Sequence, residues 1–271
     1  MPRIRIGDAD IHYEDAGRGP VVFLLHAFPL HSGMWRPQID LLAREHRVIA
    51  MDYRGLGRSG PAPEVATMEL LASDAAELLA RLGVAHATVA GLSMGGYVAL
   101  ALYRKSPQLF RGLVLCDTRA GPDSAEGREG RHRFAQDALA KGMGWVADQM
   151  IPKLLGPNAA EEVVKRVRAL IGENDPRGVA AAQRGMAARP DSEPLLKQVR
   201  CPTLVMVGSE DSLTPPSISE EMAATLGARL ALLPGAGHLA NLESPKLFAG
   251  ELACFIAGLE TPRRAQPPPL Q

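Results

Sequence analysis

Hydrophobic positions in the first half of the chain follow two alternating patterns. Short runs that are continuously apolar and rich in β-branched residues are typical of strands buried on both faces of a sheet. Such runs occupy residues 21–26, 48–52, 87–92 and 112–118. Between them, apolar residues recur at every third or fourth position, which indicates helices that bury one face. These helical segments are 35–45, 67–83 and the stretch that begins at Met94.

The same alternation returns near the C-terminus but is absent from the middle of the chain. At the start, residues 3–6 and 10–17 alternate between polar and apolar and predict a hairpin. Near the end, strands are predicted at 203–208 and 228–235, and helices at 217–227 and 245–258. Between about 119 and 190 we find only helical segments, near 126–142, 144–155, 158–171 and 175–188.

This order of elements predicts an α/β fold with a mostly parallel, doubly wound sheet and an inserted helical cap. We expect residues 1–118 and 191–260 to form the core, and residues 119–190 to form the cap. Residues 261–271 form a Pro-rich tail, typical of extended or disordered chain. Ligands of such sheets bind at the carboxyl ends of the strands, so the chemistry should lie in the loops that follow them.

Composition and charge narrow the range of partners. The formal net charge is zero and no basic stripe is visible, which argues against nucleic acid and anionic membranes. No run approaches the ~20 apolar residues of a membrane span, and the first residues lack the apolar core of a signal peptide. Cys116, Cys201 and Cys254 are too widely spaced to indicate a metal site or a disulfide framework. We therefore expect a cytoplasmic protein whose partner is a small molecule, and the oligomeric state stays open.

A candidate nucleophile lies in the segment Gly91-Leu92-Ser93-Met94-Gly95, which has the pattern G-x-S-x-G between a predicted strand and a predicted helix. In that context the pattern forms a sharp turn that exposes the serine hydroxyl, and the flanking glycines provide room for it. The alternative interpretation is a Gly-rich helix start with Ser93 as the N-cap.

A serine hydroxyl needs a base to take its proton, and His238 is the best placed of seven histidines. It follows the last predicted strand, in a loop that also contains Gly235 and Gly237. His26 ends a strand and is a rival, although bracing the adjacent turn is its more natural role. His31 could contact a ligand.

The base in turn needs a carboxylate that fixes its tautomer. Asp211 follows the predicted strand 203–208 and gives the chain order Ser93, Asp211, His238. Asp117, at the end of an earlier strand, is the alternative acid, but we favour for it a carboxylate bonded to backbone amides.

A developing oxyanion needs two N–H donors. The Met94 amide opens the helix after the serine, and the Phe28 amide lies in the loop after the first buried strand. Pro29 has no N–H and stiffens that loop.

Several segments together resemble the α/β-hydrolase family, and more narrowly its bacterial small carboxylesterases and 3-oxoadipate enol-lactonase-like hydrolases. They are HAFPLHSGMW, DYRGLGRSG, GLSMGGYVALAL, GLVLCDTRAG, GSEDSLTPP and GAGHLANLESP, and the resemblance spans roughly residues 3 to 258. It implies an α/β-hydrolase fold with Ser93 as nucleophile, Asp211 as acid and His238 as base. Phe28 and Met94 would be the oxyanion donors, and no metal or cofactor would be needed. The family usually has His-Gly where this chain has His26-Ala27.

The expected activity is hydrolysis of small, fairly apolar carboxylic esters through an acyl-enzyme on Ser93. An enol-lactonase-like activity is the main alternative, and its carboxylate-bearing substrate would call for an arginine near the cap. The candidates are Arg119, Arg128, Arg131 and Arg133. A carbon–carbon bond hydrolase, a perhydrolase and a non-catalytic ligand receptor are further possibilities on the same scaffold.

The cap is expected to shape the substrate pocket. Its apolar candidates are Trp145, Met143, Met150, Leu154 and Leu155. As substrate-binding residues we single out His26, His31, Trp145 and Leu239.

Overall fold

The computed structural model describes residues 2–260 and contains one eight-stranded sheet. Its strands are β1 (Arg3–Ile6), β2 (Ala9–Ala16), β3 (Val21–Leu25), β4 (Arg47–Met51), β5 (Ala87–Leu92), β6 (Phe110–Cys116), β7 (Thr203–Gly208) and β8 (Arg229–Leu233). The order across the sheet is β1-β2-β4-β3-β5-β6-β7-β8. The two strands of the predicted hairpin pair antiparallel, β2 joins β4 antiparallel, and every other pairing is parallel. The predicted mostly parallel sheet is thereby confirmed.

Ten helices accompany the sheet within the described residues. They are α1 (Arg36–Leu42), α2 (Met68–Arg81), α3 (Met94–Lys105), α4 (Ala125–Leu154), α5 (Glu161–Gly172), α6 (Pro176–Ala187), α7 (Glu193–Leu196), α8 (Pro216–Leu226), α9 (Ala240–Glu243) and α10 (Pro245–Glu260). Helices α2 and α3 pack against each other, and so do α1 and α10. The central strand β5 is buried along its whole length, as expected for a strand with a continuously apolar sequence.

The structure differs from the predicted elements in a few places. Residues 126–142 and 144–155, predicted as two helices, are two helical segments that meet at Gly142, whose φ of 76° and ψ of −176° are not helical; α4 denotes the two segments together. The segment predicted as a helix from residue 35 begins instead with a 3-10 turn at Ser32–Trp35. Helices α7 and α9 have four residues each, too few to show a periodic pattern. The Pro-rich tail predicted at 261–271 lies outside the described residues.

Helices α4, α5 and α6 are inserted between β6 and β7, and α4 packs against both of the others. The two ends of this insertion are joined by Asp123, whose carboxylate accepts hydrogen bonds from Arg131 and Arg189. Burial alone would raise the pKa of Asp123, but the two guanidinium groups outweigh it and hold that pKa well below its usual range. We call residues 119–190 the cap from here on. No helix within residues 2–260 combines the length and apolar character needed to cross a bilayer.

Candidate active site

The turn between β5 and α3 holds Ser93 in a sparsely populated backbone conformation, with φ of 56° and ψ of −115°. Such a conformation costs on the order of 1–3 kcal/mol in a residue other than glycine. The Ser93 N–H donates to the Cys116 carbonyl, and the Thr118 hydroxyl donates to the Ser93 carbonyl. These two bonds fix the turn and leave the Ser93 hydroxyl free to project from it.

Two glycines flank Ser93 because the backbone of the turn lies against neighbouring backbone. A Cβ on Gly91 would lie 2.2 Å from the Gly95 carbonyl oxygen, and a Cβ on Gly95 would lie 2.1 Å from the Leu25 carbonyl oxygen. The Ser93 side chain makes no capping bond to the helix, so the alternative interpretation as a simple N-cap is wrong.

Three side chains from three loops form a continuous hydrogen-bonded chain at the carboxyl edge of the sheet. His238 Nε2 lies 2.8 Å from Ser93 Oγ, and His238 Nδ1 lies 2.8 Å from Asp211 Oδ2. His238 and Asp211 are both almost fully buried. The structure thus brings together the three residues that the sequence selected as nucleophile, base and acid.

The Asp211 carboxylate is held by its own loop as well as by His238. Oδ1 accepts from the amides of Leu213 and Thr214, and Oδ2 accepts from the Thr214 hydroxyl at 2.5 Å. Burial pushes the pKa of Asp211 upward, but the hydrogen bond and charge of His238, with the Thr214 bonds, outweigh burial and lower that pKa. An ionised Asp211 can hold the His238 imidazole in the tautomer whose Nε2 accepts a proton.

Asp117, the alternative acid, occupies a different position. It is fully buried with φ of 44°, and its Oδ1 accepts from the Gly208 amide at 2.8 Å. Among residues 2–260, its Oδ2 has no hydrogen-bond partner, and no bond joins Asp117 to His238. Burial, reinforced by the nearby charge of Asp211, raises the pKa of Asp117 well above its usual value. Because burial disfavours its ionised form, Asp117 is poorly suited to be the anionic partner of a histidine.

The predicted oxyanion donors are both unengaged amides. Within residues 2–260, neither the Phe28 nor the Met94 N–H donates to a protein acceptor. Met94 is the first residue of α3, where amides have no intrahelical partner. Ala27, which stands where the resembled family usually has glycine, does not adopt a positive φ, so its methyl group adds no backbone strain. Its amide donates to the Met34 sulfur at 3.2 Å, which fixes the start of the Phe28 loop.

The substrate-binding role predicted for His26 and His31 is not supported. His26 contacts backbone groups, and His31 contacts backbone and an acidic residue that is distant in the sequence. His26 is fully buried; its Nδ1 bonds the Ala27 carbonyl and its Nε2 accepts from the Tyr53 amide. Burial lowers the pKa of His26 to about 4, so the ring is a neutral brace for the loop. His31 accepts from the Gly33 amide and lies 3.3 Å from Glu173.

A cavity of about 460 Å³ opens onto Ser93 and His238. Two of the apolar cap residues named from the sequence, Met150 and Leu154, line it. Trp145 does not; it packs behind Phe134, a lining residue, with ring centroids 5.0 Å apart. Leu239 is fully buried and does not line the cavity either, so the cavity does not support the substrate-binding predictions for Trp145 and Leu239.

The remaining cavity wall was not identified from the sequence. The apolar and neutral lining residues that the sequence did not indicate are Tyr97, Gly127, Gly130, Phe134, Gln183, Met186, Leu213 and Thr214. Leu213 had a usable signal, since an aspartate side chain in a turn commonly bonds the backbone two residues later, and the Leu213 amide donates to Asp211. The charged lining residues are Arg119, Asp123, Arg131 and Lys153, and only the two arginines had been named.

A larger depression of about 630 Å³ lies on the other side of Arg119, between α7 and α8. It contains none of the three hydrogen-bonded residues, so the smaller cavity is the candidate active site. No cluster of three or more His, Cys, Asp or Glu side chains within residues 2–260 has the geometry to hold a metal ion.

Comparison with known proteins gives consistent matches over nearly the whole chain. The profile of the alpha/beta hydrolase fold matches residues 20–245. A putative carbamate hydrolase RutD from Azorhizobium caulinodans is 30% identical over 269 residues, covering 96% of this chain and 100% of that protein. 3-oxoadipate enol-lactonase 1 from Acinetobacter baylyi is 26% identical over 250 residues, covering 89% of this chain and 90% of that protein. The structure of a thermophilic esterase from Thermogutta terrifontis, with malate bound, superimposes with a TM-score of 0.94 at 42% identity, covering 96% of this chain and 100% of that one.

Proposed function

The chain belongs to the alpha/beta hydrolase fold family, and from this we propose that it is a serine carboxylic-ester hydrolase that forms an acyl-enzyme on Ser93. The observation that carries the proposal is the chain of two 2.8 Å hydrogen bonds from Ser93 through His238 to Asp211. Ser93 and His238 line a cavity that can hold a small molecule.

In the proposed mechanism, His238 Nε2 accepts the Ser93 proton while Oγ attacks the ester carbonyl carbon. The Phe28 and Met94 amides stabilise the oxyanion, and the protonated His238 then gives its proton to the leaving alcohol. A water activated by His238 hydrolyses the acyl-enzyme, which releases the acid and restores Ser93. Asp211 keeps the imidazole oriented throughout.

The proposal is tested with a panel of p-nitrophenyl esters of graded acyl length together with an enol-lactone, and with a fluorophosphonate that labels activated serines. We expect ester turnover and stoichiometric labelling of Ser93, because the hydroxyl has a base within hydrogen-bonding distance. Absence of labelling would instead support a non-catalytic ligand receptor. Turnover of the lactone with inertness toward every simple ester would replace the esterase by the lactonase.

One feature of the cavity favours the lactonase-like alternative. Two cations that line the cavity have no acidic partner among residues 2–260. They are Lys153 and Arg119; the Arg119 guanidinium donates to the Leu213 carbonyl and keeps a buried Nε unpaired. The charge of Arg131, by contrast, is countered by Asp123. Arg128 does not line the cavity, and Arg133 is exposed and paired with Glu129. Unpaired cations in the wall of the cavity that contains Ser93 favour an ester or lactone that also carries a carboxylate.

We therefore expect Arg119→Gln and Lys153→Gln to weaken binding of a carboxylate-bearing ester selectively. A charge-assisted hydrogen bond in a half-buried cavity corresponds to about a 10-fold rise in KM. The measurement compares mono-p-nitrophenyl succinate with p-nitrophenyl acetate for each variant. Arg168→Gln is the matched control, since Arg168 is an exposed cap arginine paired with Asp148. Equal losses on both esters would contradict selective recognition of a carboxylate.

A further inference from the structure

The loop that carries His238 lies between two other backbones. On one side is the end of β7, where a Cβ on Gly208 would lie 2.2 Å from the Gly237 carbonyl oxygen. On the other side is the end of cap helix α4, where a Cβ on Gly237 would lie 2.3 Å from the Gly156 nitrogen. Because all three positions are glycines, the residue before the candidate base is in direct backbone contact with the cap.

A single carboxylate bridges this contact. Glu243 Oε1 accepts from the Gly237 amide at 2.9 Å, and Glu243 Oε2 accepts from the Gly156 amide at 2.9 Å. A further bond, from the Leu239 amide to the Leu154 carbonyl at 2.9 Å, joins the same two segments. Charge-assisted bonds from backbone amides to a carboxylate are stronger than those between neutral groups. Glu243 therefore ties the residues on either side of the junction more firmly than the backbone bond does alone.

The environment of Glu243 disfavours the ionised form of its carboxyl group. The side chain is half-buried, and burial, with the nearby negative charge of Asp211, raises its pKa. The two amide bonds and the proximity of His238 act in the opposite direction. Glu243 does not line the cavity and does not hydrogen-bond Ser93, His238 or Asp211. The proposed reaction thus gives it no chemical role, and its contacts point to the two backbone segments.

We propose that Glu243 is a positioning residue that fixes the His238 loop to the end of the cap. It thereby holds His238 at a constant position relative to the cap residues that line the cavity. The kinetic part of this proposal rests on the proposed esterase function. Gly237 directly precedes His238, whose two ring nitrogens both make 2.8 Å bonds. A displacement of about 1 Å in a reacting group can lower the rate by ~10². Leu154, which accepts the bond from Leu239, also lines the cavity, so the same junction sets one wall of the substrate site.

The first arm of the test measures the junction directly and does not depend on activity. Glu243→Gln keeps the size of the side chain but places an NH₂ group against one of the two amides, donor against donor. We expect faster hydrogen–deuterium exchange in peptides covering residues 152–158 and 234–240. The control is Glu251→Gln, which removes a carboxylate paired with exposed Arg229. Exchange in both peptides that is the same as in the control would overturn the proposal, whether or not the protein hydrolyses esters.

The second arm measures kcat per active site, with the number of active sites counted by fluorophosphonate titration. For Glu243→Gln we expect kcat to fall ~10- to 100-fold with KM within about 2-fold of wild type. Gly156→Ala should show the same pattern, because its new Cβ would lie 3.1 Å from Glu243 Oε2. Gly144→Ala, inside helix α4 and with no neighbouring atom within 4 Å of the added Cβ, is the matched control.

The outcomes separate the proposal from its alternatives. A lower active-site count or a lower Tm with unchanged kcat per site would show that Glu243 is only structural and would overturn a positioning role. A wild-type protein that is neither labelled nor active would refute the esterase function, while the exchange arm would still decide whether Glu243 holds the junction.

Discussion

Replacing Ser93 with alanine is expected to lower kcat for the best ester by at least ~10³-fold, as deletion of a triad nucleophile does in other serine hydrolases. The substitution removes one oxygen atom, the one that lies 2.8 Å from His238 Nε2. The backbone of the turn is held by the Cys116 carbonyl and the Thr118 hydroxyl, which do not involve the Ser93 side chain. We therefore expect the Tm to stay within a few degrees of wild type and fluorophosphonate labelling to disappear.

The control for this change is Ser73→Ala, which removes a hydroxyl bonded within helix α2 to the Glu69 carbonyl. It should leave kcat and labelling unchanged. A double variant, Ser93→Ala with His238→Ala, should be no slower than either single variant, because groups that act as a unit are not additive. Substantial turnover by Ser93→Ala would mean that another group is the nucleophile.

The sequence was sufficient to find the three hydrogen-bonded residues because each follows a strand that is recognisable from its composition. Ser93, Asp211 and His238 come after β5, β7 and β8. Parallel strands bring all their carboxyl ends to one edge, so strand order alone predicts that these loops meet. The glycines around Ser93 added a local signal, which the close backbone approaches at Gly91 and Gly95 explain.

The cavity wall could not be predicted in the same way. Which cap side chains reach the cavity depends on the kink at Gly142 and on how α4 packs against α6, and neither is encoded in a local periodicity. Trp145 was selected because it is large and apolar, whereas Phe134 covers it from the cavity side.

Pairing between distant residues was also invisible in the sequence. His26 follows β3 as a ligand-binding histidine could, but its Nε2 is taken by the Tyr53 amide in the loop after β4. The sequence shows the charges of Asp123, Arg131 and Arg189, but not that Asp123 is shared between the two arginines. Nor does it show that Arg119 and Lys153 line the cavity without an acidic partner among residues 2–260. The sign of the cavity charge therefore follows from contacts across the cap, which only the fold determines.

The choice between the two candidate acids leads to the second large effect. Asp211→Asn should lower kcat by ~10³- to 10⁴-fold, whereas Asp117→Asn should leave it within about 3-fold of wild type. The amides of Leu213 and Thr214 both donate to Asp211 Oδ1, so an asparagine would keep its oxygen there. Its NH₂ group would then face His238 Nδ1 and favour the tautomer that carries a proton on Nε2, which cannot accept one from Ser93.

Asp117→Asn is the matched control because it makes the same substitution at a second buried carboxyl group, where we expect little effect on kcat. An asparagine oxygen can keep the bond from the Gly208 amide, and asparagine tolerates a φ of 44° better than most residues. Since folding raises the pKa of Asp117, its contribution to stability is full below about pH 3.8 and is lost as the pH rises through the folded-state value. Asparagine does not titrate, so the Asp117→Asn variant does not lose this contribution to stability as the pH rises. Its Tm should therefore equal or exceed that of wild type at neutral pH. Thermal unfolding between pH 4 and 8 measures this. A large fall in kcat for Asp117→Asn, with near-normal turnover by Asp211→Asn, would reverse the assignment and make Asp117 the residue that orients His238.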